Sequence, residues 1–210
     1  MKTLIVFVHG AFCSNKSWNY LRQIIELGLP PSSDHEIAMF EYDVVEDLAE
    51  DIVGDLVSAL KSNAHKYDKI WMVGHSFGGV VCVSAARDLK KFSGELDIEI
   101  ITMATPFGGS EAASLMSIFK PHSRFIRNVG SYNRYMTEFK AQKLPCKVHA
   151  IVTFTESLNW GWVENDGVVS VESEMHFKKD PNFFPEYRNM AHSEVLLSEE
   201  IGSWIADKVA

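Results

Sequence analysis

Apolar, β-rich runs recur along the chain at 4–8, 36–42, 69–73, 98–103 and 147–154. Between them the apolar positions fall at steps of three and four, the spacing of a helix with one buried face. Trp18, Leu21, Ile24, Ile25 and Leu27 mark a first helix, and Val45, Leu48, Ile52, Leu56, Val57 and Leu60 a second. A third follows residue 79 as the small, apolar run Val80, Val81, Cys82, Val83, Ala85 and Ala86. The last runs from about 194 to 209, with Val195, Leu196, Leu197, Ile201, Trp204 and Ile205 as its stripe. Strands alternating with helices imply an α/β fold: a mostly parallel sheet, helices on both faces and right-handed crossovers. No repeat, low-complexity tract or linker interrupts the pattern, so a single domain over 1–210 is expected.

One stretch breaks the alternation. Between the strand ending at Met103 and the next, beginning near Lys147, lies far more chain than one helix needs. Loops of that length in a compact domain are usually functional or mobile. Helix-like pieces around 111–119 and 132–140, with Pro121 between them, predict a helical lid insert at about 107–145. From Glu111 to Lys143 the insert carries six Lys or Arg against two acids, with Phe119, Phe125, Tyr132, Met136 and Phe139 among its interleaved apolar residues. It reads either as a cap that packs onto the domain with its charges in water, or as a basic surface for anionic substrates and weak interfacial lipid contact.

Composition narrows the classes. With 46% hydrophobic and 23% charged residues, the chain of 210 residues is long enough for one sizeable core and is not disordered. A net charge of −8 argues against nucleic-acid binding. Cys13, Cys82 and Cys146 form neither an even set nor a C-x-x-C pair, so reduced thiols are expected, with no zinc site. The apolar run at 4–8 is too short for a signal peptide, and no stretch has transmembrane length. A cytoplasmic location is therefore expected, with no protein partner.

The chemistry centres on "VGHSFGG", residues 73–79. A buried strand must turn into a buried helix within a few residues, and Gly74 and Gly78 let neighbouring backbone pass where a Cβ would clash. The residue at the apex, Ser76, is then strained and pushed out above the sheet, as in a G-x-S-x-G nucleophile elbow. A serine hydroxyl is a weak nucleophile at neutral pH and needs a positioned base. In this arrangement an acid and then a histidine follow the serine in chain order. His192, in "NMAHSEVL" just before the last helix, meets that requirement, with Ser193 placed to cap the helix. His176, in an irregular segment, is the alternative. Glu156, Glu164, Asp166, Glu172, Glu174, Asp180 and Glu186 are the acids in the right interval. Asp166 is favoured because Asn165, Asp166 and Gly167 form a turn that would aim a short carboxylate, with Glu164 in reserve. Acyl transfer also needs donors facing the developing oxyanion. The amides of Phe77 and of Ala11, with Phe12 as the alternative to Ala11, are so placed. His9 is expected to prop the loop, and Cys13 lacks an elbow.

These motifs resemble the α/β-hydrolase superfamily, and more narrowly its small bacterial lipase and esterase branch. "FVHGAF" is similar to the oxyanion loop of those enzymes, "GHSFGG" to their elbow and "NDGVVSVES" to the acid loop. "ATPFGGS", residues 104–110, resembles the threonine-proline stretch after the following strand. The resemblance implies an α/β-hydrolase fold with Ser76 as nucleophile, Asp166 as acid and His192 as base. Phe12, Pro106 and Phe107 are expected to contact substrate. It also implies a small acyl-ester or lipid substrate and a hydrolase needing no cofactor. The acids that hold calcium in some lipases have no equivalent pair here, so no metal is expected. Acyl transfer to an alcohol, thioester cleavage and a non-catalytic binding scaffold are the alternatives on the same fold.

Overall fold

The computed structural model describes residues 1–11, 13–31, 34–43, 47–92, 96–109, 129–155 and 163–210, with backbone alone over 129–133. Six strands form one sheet: β1 (Lys2–Val8), β2 (Asp34–Phe40), β3 (Lys69–His75), β4 (Asp97–Met103), β5 (Val148–Phe154) and β6 (Phe183–Asn189). Their order is β2-β1-β3-β4-β5-β6, and every neighbouring pair is parallel. The helices are α1 (Asn19–Gly28), α2 (Ala49–Asn63), α3 (Phe77–Phe92), α4 (Val129–Lys140), α5 (Val171–Glu174) and α6 (Glu199–Val209).

The unbroken hydrophobicity of the central strands follows from cover on both faces. Successive side chains alternate between the faces. Leu4, Val6 and Val8 of β1 join Ile70 and Met72 of β3 in the core beneath α2 and α3. Ile5, Phe7, Trp71 and Val73 point the other way, into a second core with Leu21 and Ile25 of α1 and Ile201 and Ile205 of α6.

The structure departs from the sequence reading at the edges. β6 was absent from the expected strands, since Pro185 interrupts its run. It lies at the sheet edge, paired only to β5, where a missing N–H does least harm. The terminal helix starts later than expected: a 3-10 turn spans Glu194–Leu197 and α6 begins at Glu199. Ser198, not Ser193, caps it, its Oγ accepting from the Ile201 amide at 3.3 Å. Of the expected lid, residues 110–128 lie outside the described residues, including the piece at 111–119. The other piece is α4, where Met136 and Phe139 are buried in the α2–α3 core. The Arg87 guanidinium of α3 sits 4.5 Å from the Phe139 ring centre and donates to the carbonyls of Gln142 and Lys143. Among the described residues no helix is long and apolar enough to cross a membrane.

Candidate active site

The carboxyl ends of the parallel strands gather the candidate residues. β3 ends at His75 and α3 starts at Phe77, leaving Ser76 as a one-residue corner with φ of 53°. That left-handed conformation is costly for a residue with a Cβ and persists only where the surroundings impose it. The Ser76 amide donates to the Met103 carbonyl at 2.9 Å, and the Gly79 amide donates back to the Ser76 carbonyl at 3.0 Å. A Cβ on Gly78 would collide with the Val8 carbonyl oxygen of β1. The helix can start this close to the sheet only because the residue is glycine.

His192, from the far end of the chain, lies beside the elbow. Its Nε2 is 3.0 Å from Ser76 Oγ, and its Nδ1 is 2.7 Å from Asp166 Oδ2. The His192 amide also donates to the Asp166 carbonyl at 3.0 Å, so main chain and side chain are both held. Asp166 occupies the expected turn, which the Asn165–Ser170 bridge closes and Gly167 completes at φ of 96°. The amides of Val168 and Val169 donate to Asp166 Oδ1 at 2.9 and 2.7 Å, and the Thr153 hydroxyl to Oδ2 at 2.8 Å. Burial by itself would raise the Asp166 pKa. The hydrogen bond and charge of His192, with the Val169 amide and the Thr153 hydroxyl, hold it below the usual carboxylate range. The carboxylate is thus ionised where it meets the imidazole.

On the other side of Ser76 runs the loop after β1. A Cβ on Gly10 would approach Ser76 Cβ to 3.1 Å and His75 Nδ1 to 3.0 Å. The Gly10 carbonyl accepts from His9 Nδ1 at 2.8 Å and from the Cys13 amide at 3.2 Å. The His9 ring stacks on Tyr42 at 4.1 Å, and the Tyr42 hydroxyl donates to the His9 carbonyl at 2.5 Å. In a trans peptide the N–H points opposite to the C=O, so locking the Gly10 carbonyl also fixes the direction of the Ala11 N–H.

The remaining expected residues fall elsewhere. Phe12 lies outside the described residues. Pro106 is buried, and Phe107, at 1% exposure, packs its ring against Phe139, Phe177 and Phe183. The expected substrate contact at Phe107 is thereby corrected to a core contact, because an enclosed ring presents no surface. His176 is exposed, its ring beside the Lys140 carbonyl, away from Ser76. The Cys13 thiol is pushed up by burial, the reverse of an activated nucleophile. Among the described residues no group of His, Cys, Asp and Glu could hold a metal ion.

Two neighbours escaped the sequence reading of the site, and a third was weighed there for a different role. His75 is enclosed, donates from Nε2 to the His192 carbonyl at 2.9 Å and thereby fixes the backbone of the candidate base. Thr153 is a polar residue next to the end of β5, a signal visible in "VHAIVTF". Glu174 stood among the candidate acids and lies behind Thr153, not against a histidine.

Comparison with known proteins bears on the fold and the family. Solved structures that resemble the chain include the mature form of the Bacillus licheniformis lipase BlEst2, at 18% identity and TM-score 0.70, covering 93% of this chain and 86% of that one. An α/β-hydrolase enzyme from a lagoon-sediment metagenome of Mar Chica, Morocco, shares 11% identity at TM-score 0.66, covering 99% and 90%. Phospholipase PlaB from Legionella pneumophila shares 14% at TM-score 0.72, covering 98% of this chain but 59% of its own. At such identities the likeness is one of fold, the α/β-hydrolase fold. No curated protein matches the chain at the level of sequence. A family described as "Putative serine esterase (DUF676)" matches residues 1–137, which includes β1, the glycine loop and the elbow, and stops short of Asp166 and His192. With more than half of its length so matched, the chain belongs to this serine esterase family.

Proposed function

We propose that the protein is a serine hydrolase that cleaves carboxylic esters through an acyl-enzyme on Ser76. One observation carries the reading: Asp166, His192 and Ser76 form a single hydrogen-bonded chain, 2.7 Å and 3.0 Å per link, ending on a hydroxyl at a strained corner. In this mechanism His192 Nε2 takes the proton of Ser76 Oγ as that oxygen bonds to the ester carbonyl carbon. Asp166 accepts the Nδ1–H and stabilises the imidazolium that forms. The amides of Ala11 and Phe77 face the oxyanion of the tetrahedral intermediate. Collapse breaks the bond to the leaving alcohol, which receives the proton from Nε2, and water then releases the acid by the same steps in reverse order. An alcohol in place of that water would give acyl transfer. Neighbours named as a lipase and a phospholipase support fatty-acyl esters as the first substrates to try.

A fluorophosphonate probe should label Ser76, and Ser76→Ala should lose both labelling and hydrolysis of nitrophenyl esters while unfolding normally. Asp166→Asn should lower kcat by roughly 10³–10⁴-fold, and combining it with His192→Ala should cost little more than the worse single change. Undiminished hydrolysis by Ser76→Ala would sink the proposal. Wild-type protein that neither labels nor hydrolyses would point to a binding scaffold instead.

A further inference from the structure

Behind the candidate triad lies a second enclosed carboxyl. Glu174, at the end of α5, is 2% exposed, Thr153 0% and Asp166 1%. Glu174 Oε2 and Oε1 lie 3.2 and 3.3 Å from the Thr153 amide nitrogen, and Oε1 also lies 3.1 Å from Thr153 Oγ1. The same hydroxyl is 2.8 Å from Asp166 Oδ2, the oxygen that receives His192 Nδ1.

The hydroxyl has one proton and faces two carboxyl oxygens. Were both carboxyls ionised, one contact would set lone pair against lone pair, with two buried anions on one hydroxyl. A single proton on Glu174 resolves this, and the proton cannot be on Asp166, whose Oδ1 already receives two amides and whose Oδ2 receives His192. We infer that Glu174 is held as the neutral acid and acts as a positioning residue, donating through Thr153 Oγ1 so that the Thr153 hydroxyl in turn donates to Asp166 Oδ2. The chain reads Glu174 Oε1–H to Thr153 Oγ1–H to Asp166 Oδ2, with Nδ1–H of His192 arriving from the opposite side. Burial first, and the charge of Asp166 second, push the Glu174 carboxyl well above the ordinary range, in the same direction. Two donors converging on Oδ2 restrict the carboxylate to the orientation that meets the imidazole. This role rests on the esterase reading, whereas the protonation of Glu174 does not.

The test uses the full-length protein. Near neutral pH its infrared difference spectrum should contain the C=O stretch of a protonated carboxyl, absent from Glu174→Gln and present in Asp166→Asn. A glutamine repeats both contacts, its oxygen accepting from the Thr153 amide and its NH₂ donating to Oγ1. Glu174→Gln should therefore keep kcat/KM within about twofold and leave the acidic limb of the pH–rate profile in place. Thr153→Val should lower kcat roughly tenfold at unchanged KM, about one charge-assisted hydrogen bond, with Thr153→Ser restoring it. The band's absence would overturn the inference. So would a downward move of the acidic limb in Glu174→Gln, since removing a buried anion disfavours the imidazolium. Neither readout depends on Thr153→Val folding. A protein that shows the band while Ser76 escapes the fluorophosphonate would overturn the esterase reading and leave Glu174 protonated.

Discussion

His75 immediately precedes the candidate nucleophile, and its ring is held neutral by the fold. Burial first, then the proximity of His192, lowers its pKa from 6.5 to about 3. Its Nδ1 is buried without a hydrogen-bond partner, as suits a ring that carries its proton on Nε2 and gives it to the His192 carbonyl. The unfolded chain takes up a proton at this position well before the folded one does, so unfolding gains protons between those two values. The stability that follows is complete above the ordinary imidazole range and is lost as pH falls from 6.5 toward about 3. Glutamine can supply the same donor without titrating. The urea midpoint of the wild type should therefore drop more steeply on acidification than that of His75→Gln. Parallel curves would show that the ring titrates alike in both states.

Strands β3, β4 and β5 are tied together at the end of the sheet away from Ser76. Glu99 of β4 meets Lys69 of β3 at 2.8 Å and His149 of β5 at 3.0 Å, with Lys147 at 3.5 Å. Burial would raise the Glu99 pKa, but the bonds from Lys69 and His149 outweigh it and lower the value from 4.5 to about 2. A carboxylate depressed in this way adds stability above its unfolded value and loses it as pH falls through its folded one. The ammonium groups are partly in water, so the effect must be discounted for screening. Glu99→Gln should cost about 1 kcal/mol near neutral pH, with the gap to wild type closing as pH falls from 4.5 toward about 2. A gap that stays constant over that range would mean that packing, not charge, links the three strands.

Charge is distributed unevenly over the protein, with a basic stretch around 111–143 in a chain of net −8. In the part described, α4 buries Met136 and Phe139 and is fastened to α3 through Arg87 and the Tyr135–Ser84 hydroxyl pair at 2.6 Å. Met136 and Phe139 are thus used in packing. Arg134 is exposed, and Arg124 and Arg127 lie outside the described residues. If these charges draw in anionic acyl substrates, hydrolysis of an anionic ester should fall with added salt more steeply than that of a neutral one. Reversing Arg124, Arg127 and Arg134 to Glu should abolish the difference. Equal salt slopes in the wild type would leave the insert as a cover only.

Patterns confined to a few consecutive residues were legible in the chain: the helix and strand periods, the glycines around Ser76, and the turn that aims Asp166. Each depends on local sterics, which neighbouring residues impose on one another. Chain order then pointed to His192, yet its meeting with Ser76 joins positions 116 apart and its bond to Asp166 positions 26 apart. Such pairings exist only once the parallel strands bring their carboxyl ends to one edge. Phe107 was expected to contact substrate, but three rings from distant segments close around it. β6 was hidden because Pro185 argues against a strand everywhere except at an edge, and an edge is a property of the assembled sheet. Glu174 and Thr153 were ordinary acid and hydroxyl residues in sequence. Their hydrogen-bonded chain behind Asp166 arises from burial, which removes the water that would otherwise satisfy each of them separately.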